Sequence, residues 1–275
     1  MLERNLMSDI NELRNKSIES FGDQWSRFNQ LGDADGPDAE QWFRQWLGTF
    51  NPESLRGRRV AEIGAGVGRS LFNMSRFGPV ELIGYEPSDC FPFLQENMRG
   101  VPNCRLVNKG GHEFREHDLD YVLSIGVIHH IPDPLKVVQN AFQSLKIGGQ
   151  FIIWVYGNQL WWYVWLQKLA RKLTTRISDS SLNRVSRYLA LVLTMYGNLI
   201  ERTNARRAPL FTYLTTTFMK LSMEFRKVVI FDQLNPGWSD YYSEQRLRRL
   251  LVAGGFSSIK IEEKGGYSWT AICTR

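Results

Sequence analysis

The chain has 275 residues, 43% hydrophobic and 23% charged, which suits a soluble globular protein with a proper core and leaves no place for a low-complexity chain. Its three cysteines, Cys90, Cys104 and Cys273, have no paired spacing, which excludes a disulfide framework and suggests no zinc site. A formal net charge of +6 permits an acidic partner without requiring one.

Residues 1–20 mix acids and bases with no apolar stretch. They read as polar helix or frayed tail rather than signal peptide, and a reducing, cytoplasmic setting is expected. Phe21, Trp25 and Phe28 then recur at helical spacing, and Trp42, Phe43, Trp46 and Leu47 do so again after Pro37. Two readings stand for this segment: amphipathic helices on the edge of a sheet, or an aromatic lid over a ligand. Next, the apolar run Val60 to Ile63, with the acid Glu62 inside it, breaks into Gly64, Gly66 and Gly68 before a helix-compatible segment, Ser70 to Phe77. That is the pattern of a first strand, a tight turn and a helix N-terminus, where a nucleotide-like ligand sits in an open parallel sheet. A dinucleotide turn would need a third glycine where Arg69 stands. Further on, the run Val80 to Tyr85 ends in Glu86, an acid able to accept hydrogen bonds from both hydroxyls of a ribose.

A helix is expected from Asp89 to Met98, stopped by Gly100 and Pro102, then a short strand, Cys104 to Asn108, and the loop Lys109-Gly110-Gly111-His112-Glu113. The run from Tyr121 to Ile128 is a buried fourth strand opened by Asp118 and Asp120, and it ends in His129-His130-Ile131-Pro132-Asp133-Pro134. Helix Leu135 to Leu145, the turn Lys146-Ile147-Gly148-Gly149 and strand Gln150 to Tyr156 follow. At the other end, Leu247 to Phe256 reads as a helix capped by Gly254-Gly255, and strands Ser258 to Glu263 and Ser268 to Thr274 flank Lys264-Gly265-Gly266.

With these motifs in this order, the chain resembles the class I S-adenosylmethionine-dependent methyltransferases. The resemblance rests on acid-x-Gly-x-Gly-x-Gly from Glu62 to Gly68, on Glu86, on the fourth strand with its His-His-Ile-Pro-Asp-Pro tail, and on the Leu-Lys-x-Gly-Gly turn before strand five. It implies an α/β fold: a doubly wound, Rossmann-like, seven-stranded, mostly parallel sheet with an antiparallel last strand and a helical insert. The implied cofactor is S-adenosyl-L-methionine, with no metal. Its implied binding residues are Glu62, Gly64, Gly66, Gly68, Arg69, Glu86 (for the ribose), Pro87, Gly111, His112, Ser124 and Gly126. Relatives often carry an acid where Gly111 stands, so backbone or His112 would serve the adenine. The implied division is a helical lid over 1–50, a cofactor-binding core over 51–156, a cap over 157–243 and the end of the core over 244–275.

The stretch 157–243 is where acceptor choice should live, because loops and caps on a fixed scaffold carry specificity. It opens on the aromatic run Leu160 to Leu166. Up to Arg207, only Asp179 and Glu201 face Lys168, Arg171, Lys172, Arg176, Arg184, Arg187, Arg202, Arg206 and Arg207. These cations hold an anionic group of the acceptor or form a solvated face. His129 and His130 lie at the mouth where a methyl group would point, so either is a candidate general base, or both line the site. Tyr241 and Tyr242, also counted as catalytic candidates, either cover the acceptor or pack; Asp232 and Trp238 share that choice.

A small-molecule acceptor methylated at oxygen is the leading expectation, an anionic one included. The Phe21-Gly22-Asp23-Gln24-Trp25 start resembles enzymes of surface-glycan and secondary-metabolite pathways. A nucleic-acid partner is not expected, although tRNA wobble-uridine methyltransferases share a very similar His-His tail. Peripheral membrane contact through Leu160 to Arg176, with a lipid-like acceptor, stays open. A cofactor-binding scaffold without catalysis is the remaining reading, and the oligomeric state is not fixed by the sequence.

Overall fold

Strands that are apolar on both sides must be covered on both faces, and that requirement shapes the chain. The computed structural model describes residues 2–31, 39–174, 176–235 and 238–275. Its strands are β1 (Arg59–Ile63), β2 (Glu81–Tyr85), β3 (Cys104–Val107), β4 (Leu119–Ile125), β5 (Leu145–Tyr156), β6 (Ser258–Lys264) and β7 (Ser268–Thr274). Its helices are α1 (Leu2–Arg27), α2 (Ala39–Leu47), α3 (Arg69–Ser75), α4 (Phe91–Asn97), α5 (Pro134–Ser144), α6 (Trp161–Thr174), α7 (Asp179–Arg202), α8 (Phe211–Thr216), α9 (Met223–Leu234) and α10 (Glu244–Ala253).

The first five strands pair in parallel, and β7 inserts antiparallel between β5 and β6, giving the order β3-β2-β1-β4-β5-β7-β6. This is the sheet the motifs implied. Alternation along each strand divides the core. Ala61, Ile63, Phe151 and Ile153 face α5 and α10, which bury Val137, Val138, Leu247 and Leu251. Val60 and Ile152 face the other way, against Phe43 and Leu47 of α2, Leu71 and Met74 of α3, and Leu94 of α4. A third core lies outside the sheet. Leu182, Ala190 and Ile200 of α7 pack there with Tyr213, Leu214, Ile230 and Phe231 of α8 and α9.

Three boundaries differ from the sequence reading. A helix runs unbroken from Leu2 to Arg27, past the polar stretch that offered no apolar stripe. Its Ser17 hydroxyl is buried and donates to the His130 carbonyl at 2.9 Å, so tertiary contact decides what propensity left open. The Lys146–Gly149 turn is absorbed into β5 with a register shift. There Gly148 takes φ +81° and donates to the Arg275 carbonyl, while Gly149 accepts from the Arg275 amide. The last helix starts at Glu244 because the Ser243 hydroxyl accepts from the Arg246 amide as an N-cap. Pro37 lies outside the described residues. Among those residues, no helix is long and apolar enough to cross a membrane.

Asp120 ties the amino ends of three strands together. Its carboxylate accepts from the Arg59 amide at 2.9 Å and pairs with Lys146 and, at 3.4 Å, with Arg58. Burial opposes ionisation, but the Lys146 and Arg59 hydrogen bonds and the two positive charges outweigh it and hold the carboxyl below its usual value. The contribution is therefore present above about pH 4 and lost as pH falls through the lowered value. Asp120→Asn should lower stability by about 1–3 kcal/mol at pH 7, read from the urea midpoint. The gap to the native chain should close in acid.

Candidate active site

The carboxyl ends of β1, β2, β4 and β5 open on a cavity of about 530 Å³ that reaches from the Gly64–Gly66 turn to Asp232 of α9. The three turn glycines all have positive φ, at +79°, +55° and +95°, but they serve different ends. A Cβ on Gly64 would meet Val127 at 2.5 Å, and one on Gly68 would meet Leu94 at 2.9 Å, so these two permit packing. At Gly66 the nearest neighbour is the Trp25 indole nitrogen at 3.7 Å across the cavity. Gly66 is the bare stretch of backbone. The fold brings Trp25 there because Gly22, one turn earlier, lets α1 lie against the loop after β2: a Cβ would come within 3.2 Å of the Asp89 amide nitrogen.

Glu86 is buried at the tip of β2 and lines the cavity. Its carboxylate accepts from the Gly66 amide at 2.8 Å, the Ser88 amide at 3.0 Å and the Ser88 hydroxyl at 2.6 Å. Burial raises its pKa despite these donors. Three donors leave about one of its roughly four acceptor sites free for a ligand hydroxyl. Gly126 lines the cavity beside Trp154, and Pro87 and His112 line it near Glu86. Gly111 does too, wedged between Val137 and Ile63, where a Cβ would sit 2.7 and 2.8 Å away. An acid has no room at that position. Glu113, two residues on, also lines the cavity and was not singled out from the sequence.

Several expected cofactor residues stand away from the cavity wall. Glu62 is buried beneath the turn with one carboxylate oxygen unpartnered among the described residues; burial foremost, with Glu86 nearby, pushes its pKa up to about 8. Ser124 is buried and donates to the Ile63 carbonyl at 3.2 Å, joining β4 to β1. Gly68 caps α3. Arg69 does line the cavity, but its guanidinium donates to the carbonyls of Phe28, Gln30 and Leu31 and lies over the rings of Trp25 and Phe225 at 4.8 and 4.9 Å. It clamps α1 to α3 and α9.

The far end of the cavity is aromatic, with Trp154, Tyr156, Tyr213 and Tyr267 around one carboxylate, Asp232. Asp232 accepts from the Tyr156 hydroxyl at 2.6 Å and from the Gln24 side chain at 3.0 Å. His130 also lines the cavity, packed on Phe21 with ring centroids 4.4 Å apart. Its Nδ1 lies 3.2 Å from the Trp238 carbonyl. A carbonyl only accepts, so this assigns the proton to Nδ1 and leaves the Nε2 lone pair free. Burial foremost lowers its pKa to about 4, partly opposed by Asp232 and the Trp238 carbonyl, so the imidazole is neutral near pH 7.

The other catalytic candidates lie behind this wall. His129 is buried between His130 and Tyr156, at 4.1 and 4.2 Å, with neither ring nitrogen hydrogen-bonded among the described residues. Tyr242 is in the sheet core. The Tyr241 hydroxyl donates to Gln167 and accepts from Arg171, and its ring stacks behind Tyr156 at 6.0 Å. Of the nine basic residues from 157 to 207, Arg171 turns inward, held by the Gln233 carbonyl at 2.8 Å, and the other eight are exposed. Among the described residues, no cluster of His, Cys, Asp or Glu could hold a metal ion. The sequence signal for Tyr156 was its place at the carboxyl end of a parallel strand. For Ser17 and Gln24 there was none.

A family model described as a methyltransferase domain matches residues 38–261. Among curated relatives, a tRNA U34 carboxymethyltransferase from Sulfurovum sp. is 33% identical over 103 residues, which is 36% of this chain and 34% of that one. The protein of the same name from Desulfotalea psychrophila is 32% identical over 132 residues, 46% of this chain and 40% of that one. The chain thus spans little more than a third of the length of these relatives. An S-adenosylmethionine-dependent methyltransferase from Mesorhizobium loti has a similar fold, with a TM-score of 0.51 at 11% identity, over 88% of this chain and all of that one.

Glu62 gives a test by pH. Its folded pKa is raised to about 8, so its favourable contribution is complete below the ordinary carboxyl value and is lost as pH rises through 8. Glu62→Gln, neutral throughout, should be more stable than the native chain by about 1–3 kcal/mol at pH 8, with little difference at pH 4. Thermal melts across that range check it.

Proposed function

The chain belongs to the methyltransferase-domain family and is an S-adenosylmethionine-dependent methyltransferase, and on that premise we propose that it methylates a hydroxyl of a small, largely apolar molecule bound at the aromatic end of the cavity. One observation carries the reading. The polar groups at that end are one carboxylate, Asp232, held by Tyr156 and Gln24, and around it the neutral side chains of His130, Tyr213, Thr217, Gln233 and Tyr267. A pocket of this make-up binds by apolar burial and orients by a few hydrogen bonds.

The cavity also fits the cofactor. Gly66 leaves its backbone bare, and the buried Glu86 carboxylate keeps an acceptor site; these, with Pro87, Gly111, His112 and Gly126, would hold it. When bound, S-adenosylmethionine supplies a methyl on a sulfonium, a carbon already activated for in-line displacement. What remains for the protein is positioning, exclusion of water and removal of one proton. Phe21, Trp25 and Trp154 would exclude water. Asp232 with Tyr156 would orient the acceptor, and His130 Nε2 would take the hydroxyl proton. Residues 51–156 and 244–275 would then hold the cofactor, while 157–243 and α1 select the acceptor. The eight exposed cations between residues 157 and 207 are no part of this pocket, so an anionic acceptor finds no support from them.

A second reading is tRNA modification, favoured by the names of the curated relatives and by those same exposed cations. Activity on RNA would fall steeply with salt, because binding through phosphates releases counterions.

Labelled methyl transfer into fractionated cell extract separates the two: label should enter small molecules, and label confined to RNA would sink the oxygen-acceptor reading. Glu86→Ala should weaken cofactor binding by about 1–3 kcal/mol in calorimetry, the scale of hydrogen bonds to a charged group. His130→Gln should cut turnover by about 10²–10⁴ while leaving cofactor affinity unchanged.

A further inference from the structure

Helix α6 turns three polar side chains toward the protein: the Tyr163 hydroxyl donates to Gln233 at 2.6 Å, Gln167 accepts from Tyr241 at 2.6 Å, and Arg171 donates to the Gln233 carbonyl. Val164 is buried, but five larger apolar side chains face solvent. Trp161 is 74% exposed, Trp165 60%, Leu169 47% and Leu173 67%, and their spacing of four residues draws one line along the helix. Leu166 widens that line, and Lys168 and Lys172 flank it. On α7 a second outward row carries Tyr188, Met195 and Leu199, beside Arg184 and Arg187. Single exposed apolar residues are ordinary, but continuous rows rimmed by cations mark a surface with a partner.

We propose that this face of α6 and α7 docks on the surface of an anionic lipid bilayer. Charge selects the occupant. From residue 157 to 207 there are nine cations and two acids, and only Arg171 of the nine turns inward. A second copy docked here through a two-fold axis would set the patch against itself, cation against cation. An anionic membrane complements it, with tryptophans at headgroup depth, leucines below them and lysines reaching up to the phosphates. No helix among the described residues is long and apolar enough to span the bilayer, so the contact is one that lies on the surface. The inference is independent of the acceptor assignment and requires no bound cofactor.

The purified full chain should co-sediment with vesicles of phosphatidylcholine containing one-third phosphatidylglycerol, and bind vesicles of phosphatidylcholine alone at least tenfold more weakly. Binding should blue-shift tryptophan emission. The variant Trp161→Ser/Trp165→Ser/Leu169→Ser/Leu173→Ser should lose at least tenfold in partition. Lys168→Gln/Lys172→Gln/Arg184→Gln/Arg187→Gln should lose the preference for the anionic lipid. All six wild-type apolar and basic positions on α6 are exposed, so circular dichroism and cofactor binding should match the native chain. Failure of the native chain to bind anionic vesicles at low salt would overturn the proposal, as would equal binding by the serine variant. A dimer in sedimentation equilibrium that the serine variant abolishes would assign the face to a second copy and overturn it as well.

Discussion

The site depends on the bend after β1, which is held from three sides. The amides of Gly64 and Ala65 both donate to the Tyr85 carbonyl at the end of β2, at 2.8 and 2.9 Å. The Gly66 amide donates to Glu86, and Gly64 packs so closely on Val127 that no side chain fits between them. One short turn therefore registers the tips of β1 and β2 against the segment after β4. The bare backbone, the buried carboxylate and the mouth of the cavity are consequences of that registration. Loosening any of the three contacts would move the others.

The second half of the site is assembled by helices that are distant in sequence. Gln24 of α1, Tyr156 at the end of β5 and Asp232 of α9 meet in one hydrogen-bonded cluster. Arg69 of α3 reaches three carbonyls after α1 while lying over rings from α1 and α9. The N-terminal helix thus works both as wall and as packing, and the two readings of its aromatic residues merge. Trp25 faces the turn, and Phe28 packs edge-on against Phe231 at 5.7 Å in the core of the insert. In α2, Phe43 and Leu47 are core, while Trp46 lines the cavity and packs against Trp154 with ring centroids 6.3 Å apart. The two histidines separate by the same logic. Ser17 and Trp238 engage the carbonyl and ring of His130 at the cavity, whereas His129 is stacked out of reach.

Much of this was legible in the residues. The strands and the ligand turn follow from apolar runs, glycines and the acid at Glu86, and the order of strands with the antiparallel insertion of β7 was implied by the family resemblance that those motifs carry. Roles of single residues were less legible where two jobs share one signature. Gly64, Gly66 and Gly68 are alike in sequence, yet only the tertiary neighbours show that one faces a ligand and two admit side chains from elsewhere. Tyr241 and Tyr242 look alike, and the structure sends one to Gln167 and Arg171 and the other into the sheet core. Arginine-rich stretches carry no sign of which guanidinium turns inward, and Arg171 does so because Gln233 and Tyr241 are there to receive it.

By itself the sequence determined the α/β class, the position of the first turn and the acid at the second strand's tip. It did so because these rest on local periodicity and on glycine's backbone freedom, which neighbours in the chain specify. Only the tertiary structure decided that α1 walls the cavity, that Glu62 and Ser124 lie behind it, and that α6 turns three polar side chains inward. Those outcomes depend on contacts between residues far apart in the chain, such as Gln24 with Asp232 across 208 positions, and no local pattern encodes a partner at that distance.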